Sequence, residues 1–178
     1  ELIYQKPSNS SFFKNKFYLK TSFSFGNRKF SNSKTYQFKT TITSSYLIQL
    51  INRSYIFLKS EAGYLNSNNY LTNELYRLGG INSIRGFLTE SIFTPKYFYS
   101  NIEYRYLTTN RSYLYSITDI GFYKSQSLIN KNLTSIGLGY LFPIKNSYIN
   151  ISYILNKTDN SSFSFNNSII GIKFKSFF

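Results

Sequence analysis

The feature that most constrains this chain is an alternation of apolar and polar residues with period two, repeated from one end to the other, with no stretch that keeps a 3.6-residue period. Side chains of a strand point alternately to opposite faces, so the pattern reads as strands with one apolar and one polar face. Eight are expected. Near 16–26, Phe17, Leu19, Thr21, Phe23 and Phe25 oppose Lys16, Tyr18, Lys20, Ser22 and Ser24, and near 35–46, Tyr36, Phe38, Thr40 and Ile42 oppose Gln37, Lys39, Thr41 and Thr43. The third strand sets Ile56, Leu58, Ala62 and Tyr64 against Lys59 and Glu61; the fourth sets Phe98, Ile102, Tyr104 and Tyr106 against Asn101, Glu103 and Arg105. Leu114, Ile120 and Phe122 then oppose Asp119 and Gly121, and Ile136, Leu138, Tyr140 and Phe142 oppose Ser135, Gly137 and Gly139. In the last two, Ile149, Ile151, Tyr153 and Leu155 oppose Asn150, Ser152 and Asn156, while Ile170, Ile172, Phe174 and Phe178 oppose Gly171, Lys173 and Lys175.

These apolar faces hold no Asp, Glu or Arg, and Lys124, at a strand end, is their only Lys. A cation facing lipid at mid-bilayer costs about 2–4 kcal/mol, whereas a soluble sandwich salts its outer face with charge. Strands of about ten residues suit a tilted bilayer crossing. The expected fold is therefore all-β, a transmembrane antiparallel β-barrel. Connections expected at 47–52, 109–112 and 143–146 are brief, and those at 27–34, 65–97, 125–132 and 158–165 are longer and polar, as for inner turns and outer loops of outer-membrane barrels. Pro7, Pro95 and Pro143 are placed outside the strands, because proline cannot donate to a ladder. The last strand then runs inward and leaves Phe178 at the inner rim.

Composition narrows the function. The chain has no His, Cys or Met, which removes the usual general base, the thiol nucleophile and the soft metal ligands, so a non-enzymatic role without cofactor is expected. Its 21 Lys+Arg against 7 Asp+Glu give a formal charge of +14 and call for an anionic partner. The basic residues form no stripe, so phosphate-rich surface lipid or a basic barrel interior is favoured over nucleic acid. The first residues, Glu1-Leu2-Ile3-Tyr4, lack the basic and apolar regions of a signal peptide, so either the chain is cytosolic or its true N-terminus lies upstream.

One connection stands apart. The segment 65–97 is far longer than an ordinary loop, yet it carries Leu75, Tyr76, Leu78, Ile81, Ile84, Phe87, Leu88, Ile92 and Phe93, too many apolar groups for a solvated tether. In a barrel its nearest docking place is the interior. Gly79-Gly80 permits a sharp turn, and Arg85-Gly86-Phe87 sets a guanidinium at a bend beside an aromatic anchor. An Arg drawn inside needs carboxylates. Glu103 and Asp119 lie on the inward faces of the two strands after the loop, with Glu61 just before it, and the expected arrangement is Arg85 held by Glu103 and Asp119.

Ile84-Arg85-Gly86-Phe87 resembles the [VI]-R-G-[FY] motif of the bacterial surface-antigen family, the BamA- and TamA-like insertases and two-partner-secretion translocators. The resemblance covers about 55–178. It implies a sixth outer loop folded into the lumen, with Glu103 and Asp119 similar to the family's carboxylates on the next two strands. Five strands after the loop match the family's number, and a C-terminal strand with Phe174 and a terminal Phe178 is similar to the recognition signal of outer-membrane barrels. It also implies that residues 1–178 are the C-terminal half of a barrel, about eight strands of an expected sixteen, with upstream strands and POTRA domains missing. The implied location is the outer membrane of a Gram-negative cell. The implied partners are outer-membrane lipids and lipopolysaccharide, unfolded barrel or secreted clients, and accessory periplasmic proteins. Two alternatives stay open: a complete small eight-stranded barrel acting as anchor or adhesin, and the anchor of a fused patatin-like lipase.

Overall fold

The computed structural model describes residues 1–8, 13, 15–30, 33–125, 129–145, 147–159 and 161–176. It is an antiparallel sheet of nine strands in sequence order. These are β1 (Leu2–Pro7), β2 (Asn15–Phe30), β3 (Ser33–Ile51) and β4 (Ser54–Ser67), followed after the long connection by β7 (Lys96–Thr109), β8 (Ser112–Lys124), β9 (Asn130–Ile144), β10 (Ser147–Thr158) and β11 (Ser168–Ser176). The connection itself contains two short paired strands, β5 (Tyr76–Leu78) and β6 (Ile92–Thr94). Among the described residues no ladder joins β1 to β11, so the sheet is not closed.

The alternation places the faces as expected. Phe98, Ile102, Tyr104, Leu114, Ile120, Phe122, Ile136, Ile151 and Ile170 are exposed on the outward face, while Asn101, Glu103, Asp119, Ser135 and Ser152 are buried on the other. That inner face is less polar than expected. Tyr97, Tyr99, Tyr113, Tyr115, Ile117 and Leu133 are also buried there. They lie against the long connection or against one another, and burial of apolar area stabilises a contact whichever side of the sheet it occurs on. Glycines make room for them. A β-carbon on Gly63 would overlap the Tyr97 ring, and one on Gly139 would overlap Tyr115.

Four sequence expectations are corrected. A ninth strand, β1, pairs with β2 over Leu2↔Thr21 to Lys6↔Phe17 before a register shift at Pro7; six residues are too few to show a period. The expected loop 27–34 is instead a hairpin in register from Gly26↔Gln37 to Phe30↔Ser33, because polar side chains do not stop backbone pairing. Pro7 and Pro143 lie within strands. Pro7 sits on the edge strand past a bulge, and Pro143 faces Tyr148 where the ladder to β8 has already ended at Leu141, so neither missing N–H interrupts two ladders. With the longer strands, Lys6, Lys29, Lys34, Lys96 and Lys157 join Lys124 on the outward face, all near strand ends.

Curvature follows from contacts of one residue, Asn82. Its carbonyl accepts from Lys59 Nζ of β4 at 3.0 Å and its side-chain oxygen accepts from Lys173 Nζ of β11 at 2.6 Å. These strands are five places apart in the sheet, about 24 Å if it were flat. The sheet therefore curls around the connection.

Candidate functional site

The site begins with a ribbon. β5 and β6 pair Tyr76↔Thr94, Arg77↔Phe93 and Leu78↔Ile92, and Gly80 N–H donates to the Phe87 carbonyl at 2.9 Å, which carries the ribbon toward its tip. Gly79 and Gly80 have φ of 106° and 92°, in the region where a side chain clashes with its own backbone. Gly79 N–H donates to Ser83 Oγ at 2.9 Å, so the tip folds back on itself.

That fold delivers residues 84–87 to the inner face of β8, β9 and β10. Ile84 is fully buried against Gly121 of β8, where an added β-carbon would overlap Ile84 Cδ1. Gly86 has φ of 84°, and a β-carbon there would lie 2.8 Å from Ile154 Cγ2 and 3.3 Å from Ser135 Cβ. Its carbonyl accepts from Asn156 Nδ2 at 2.5 Å. Phe87 packs at the edge of a buried cluster with Leu75, Leu78, Tyr97 and Tyr99.

Between these contacts lies Arg85, 6% exposed. Its Nε donates to Asp119 Oδ2 at 2.9 Å, its Nη2 to Asp119 Oδ1 at 2.5 Å, and its backbone N–H to Asp119 Oδ2 at 2.9 Å. Its Nη1 donates to Glu103 Oε1 at 2.5 Å. Glu103 also accepts from Arg105 Nε at 2.7 Å, and the Arg105 guanidinium lies 3.8 Å from the Phe57 ring centre. The result is a line of alternating charge, Asp119, Arg85, Glu103, Arg105, neutral as a set. Burial opposes the charge on Arg85, but the bonds from Asp119 and Glu103 outweigh it and raise its pKa further above the usual guanidinium range. The two-pronged contact with Asp119 fixes direction as well as distance, which a lysine cannot do.

Glu61 takes no part in this line. It accepts from Tyr97 Oη at 2.8 Å and Thr43 Oγ1 at 3.0 Å. Three inward lysines grip the connection: Lys59 and Lys173 hold Asn82, and Lys39 donates to the Glu74 carbonyl at 3.0 Å. Sequence reasoning gave no role to Arg105, Asn101 or Asn156, although all have inward parity. Asn101 Nδ2 donates to the Ser83 carbonyl at 2.9 Å. Phe174 is exposed on the outward face of β11, and Phe178 lies outside the described residues. Among the described residues no group of His, Cys, Asp and Glu could hold a metal ion.

The contact between Ile84 and Gly121 has a direct test. Gly121→Val is expected to weaken loop docking by about 1–3 kcal/mol through overpacking, although valine suits a strand. Adding Ile84→Ala should restore much of the loss. Limited proteolysis of the loop reads both, and a double variant no better protected than Gly121→Val would refute the contact.

The fold and site together define an all-β sheet curled around an Arg-carboxylate-locked loop. Compared with known proteins, the chain matches no family model and no curated protein.

Proposed function

We propose that this chain is the C-terminal part of an outer-membrane β-barrel of the surface-antigen type, which inserts or translocates proteins without enzymatic chemistry. The observation that carries this reading is Arg85 held by Asp119 and Glu103 on the inner face of β8 and β7. A buried cation with two carboxylates is costly to assemble and adds little net stability over an apolar contact, so its use points to fixing one position of a loop. Membrane embedding is supported by the outward face, where Phe, Tyr, Ile and Leu are exposed and the charges are lysines near strand ends. Such lysines reach headgroups while leaving the middle of each strand apolar.

In this reading the docked loop stiffens the sheet from inside. The outer strands remain free to part for an unfolded barrel or secreted client, assisted by accessory periplasmic proteins. Among the described residues, nine strands rather than eight and no ladder between β1 and β11 favour this reading over a complete eight-stranded anchor. Depletion of the full-length protein is expected to lower the amounts of other outer-membrane proteins, measured by quantitative proteomics of the isolated membrane. Unchanged amounts of every barrel and secreted client would overturn the proposal.

A further inference from the structure

The outward face of the sheet carries a groove of about 630 Å³ near the end where the long connection leaves it. Its floor is a cross-strand row, Ile42↔Ala62, Ala62↔Phe98, Phe98↔Phe122 and Phe122↔Asn132, in which the small Ala62 leaves the dent. Phe98 and Phe122 expose about half their surface there. The next row toward the connection holds Tyr64↔Lys96 and Lys124↔Asn130. Lys96 and Lys124 thus stand on neighbouring strands, one step beyond the pair Tyr97↔Tyr123.

Like charges in neighbouring cross-strand positions repel. Here the backbones that carry them are nonetheless held side by side, because the buried Thr94 hydroxyl lies 2.7 Å from the backbone carbonyl of each. Among the described residues no carboxylate pairs with them. Glu61, Glu103 and Asp119 face inward; Glu1, Glu74 and Glu90 pair with Lys20, Arg28 and Arg77. Asp159, at the far edge, accepts from the backbone N–H and side-chain amide of Asn132. Lys96 Nζ sits 4.3 Å from the Tyr64 ring centre, which orients it over the groove's apolar wall.

We propose that this groove binds one membrane lipid with a net-anionic phosphate headgroup. The phosphate lies between Lys96 and Lys124, and an acyl chain runs over Phe98 and Phe122. The phosphate relieves the repulsion between the lysines, and the chain covers the exposed rings. The inference rests on the reading of the chain as membrane-embedded, but not on insertion or translocation.

The test uses the full-length protein in nonionic detergent, with native mass spectrometry of added phosphatidylglycerol, phosphatidylcholine and inorganic phosphate. Wild type is expected to prefer phosphatidylglycerol. The double variant Lys96→Ala, Lys124→Ala should bind it about thirtyfold more weakly, since each lysine beside an anionic surface contributes about fivefold. Phosphatidylcholine binding should not change, and Lys96→Arg, Lys124→Arg should retain the preference, which separates lost charge from lost fold. Equal phosphatidylglycerol binding by wild type and the alanine pair would overturn the proposal. So would inorganic phosphate bound as tightly as the lipid. A protein that stays dispersed without detergent and binds neither lipid would instead refute membrane embedding.

Discussion

Arg85→Ala is expected to destabilise the docked loop by about 3–5 kcal/mol, because it leaves a carboxylate buried without its cation. The loss falls unequally on the two acids. Glu103 keeps Arg105 at 2.7 Å, whereas Asp119, with no exposed surface, keeps only the backbone N–H of residue 85. Double-variant cycles should therefore show stronger coupling of Arg85 to Asp119 than to Glu103. Arg85→Lys should recover little, since an ammonium cannot supply the parallel Nε and Nη2 bonds. Protease sensitivity within 79–91 and the temperature at which the folded band is lost in detergent gels read the effect. Wild-type protection in Arg85→Ala would show that the lock does not hold the loop.

The second large effect is at Gly79. Alanine there meets two obstacles: φ of 106°, which L side chains rarely adopt, and a β-carbon position that overlaps the Leu88 carbonyl oxygen. Backbone cannot rotate aside as a side-chain tip can, so Gly79→Ala is expected to cost about 3 kcal/mol and to open the tip of the ribbon. A control at Gly26 separates this from a general cost of replacing glycine. Its added β-carbon would meet only Gln37 side-chain atoms, at ordinary distance, so Gly26→Ala should be nearly silent. If both variants showed the same loop protection, the strain at Gly79 would have no part in docking.

These two residues also show where the sequence was legible. Strand parity alone put Glu103 and Asp119 on the face that Arg85 would meet, because a period of two leaves no freedom once one face is identified. The outward rows of β7, β8 and β10 were readable for the same reason. What parity did not reveal is anything that depends on the other side of a contact. Gly121 reads as an ordinary weak strand residue until Ile84 is placed on it. Tyr113, Tyr115 and Ile117 blur the alternation of β8, since their burial comes from neighbours distant in sequence. Arg105 was readable in position but not in partner: its bond to Glu103 two residues away depends on how the strand twists and on the Phe57 ring beneath it.

The hairpin of β2 and β3 outruns its neighbours. β4 pairs with β3 only as far as Gln37, so residues 33–36 are supported by β2 alone and project about 13 Å past the sheet. A two-stranded ribbon is barely stable on its own. This one is braced midway, at the pair Arg28↔Thr35, where Arg28 Nη1 donates to Glu74 Oε1 at 2.7 Å and so ties it to the connection that carries Arg85. The connection thus works as a strut beneath a cantilever, and a load on residues 34–36 passes through Arg28 and Glu74 to the ribbon whose tip carries Arg85.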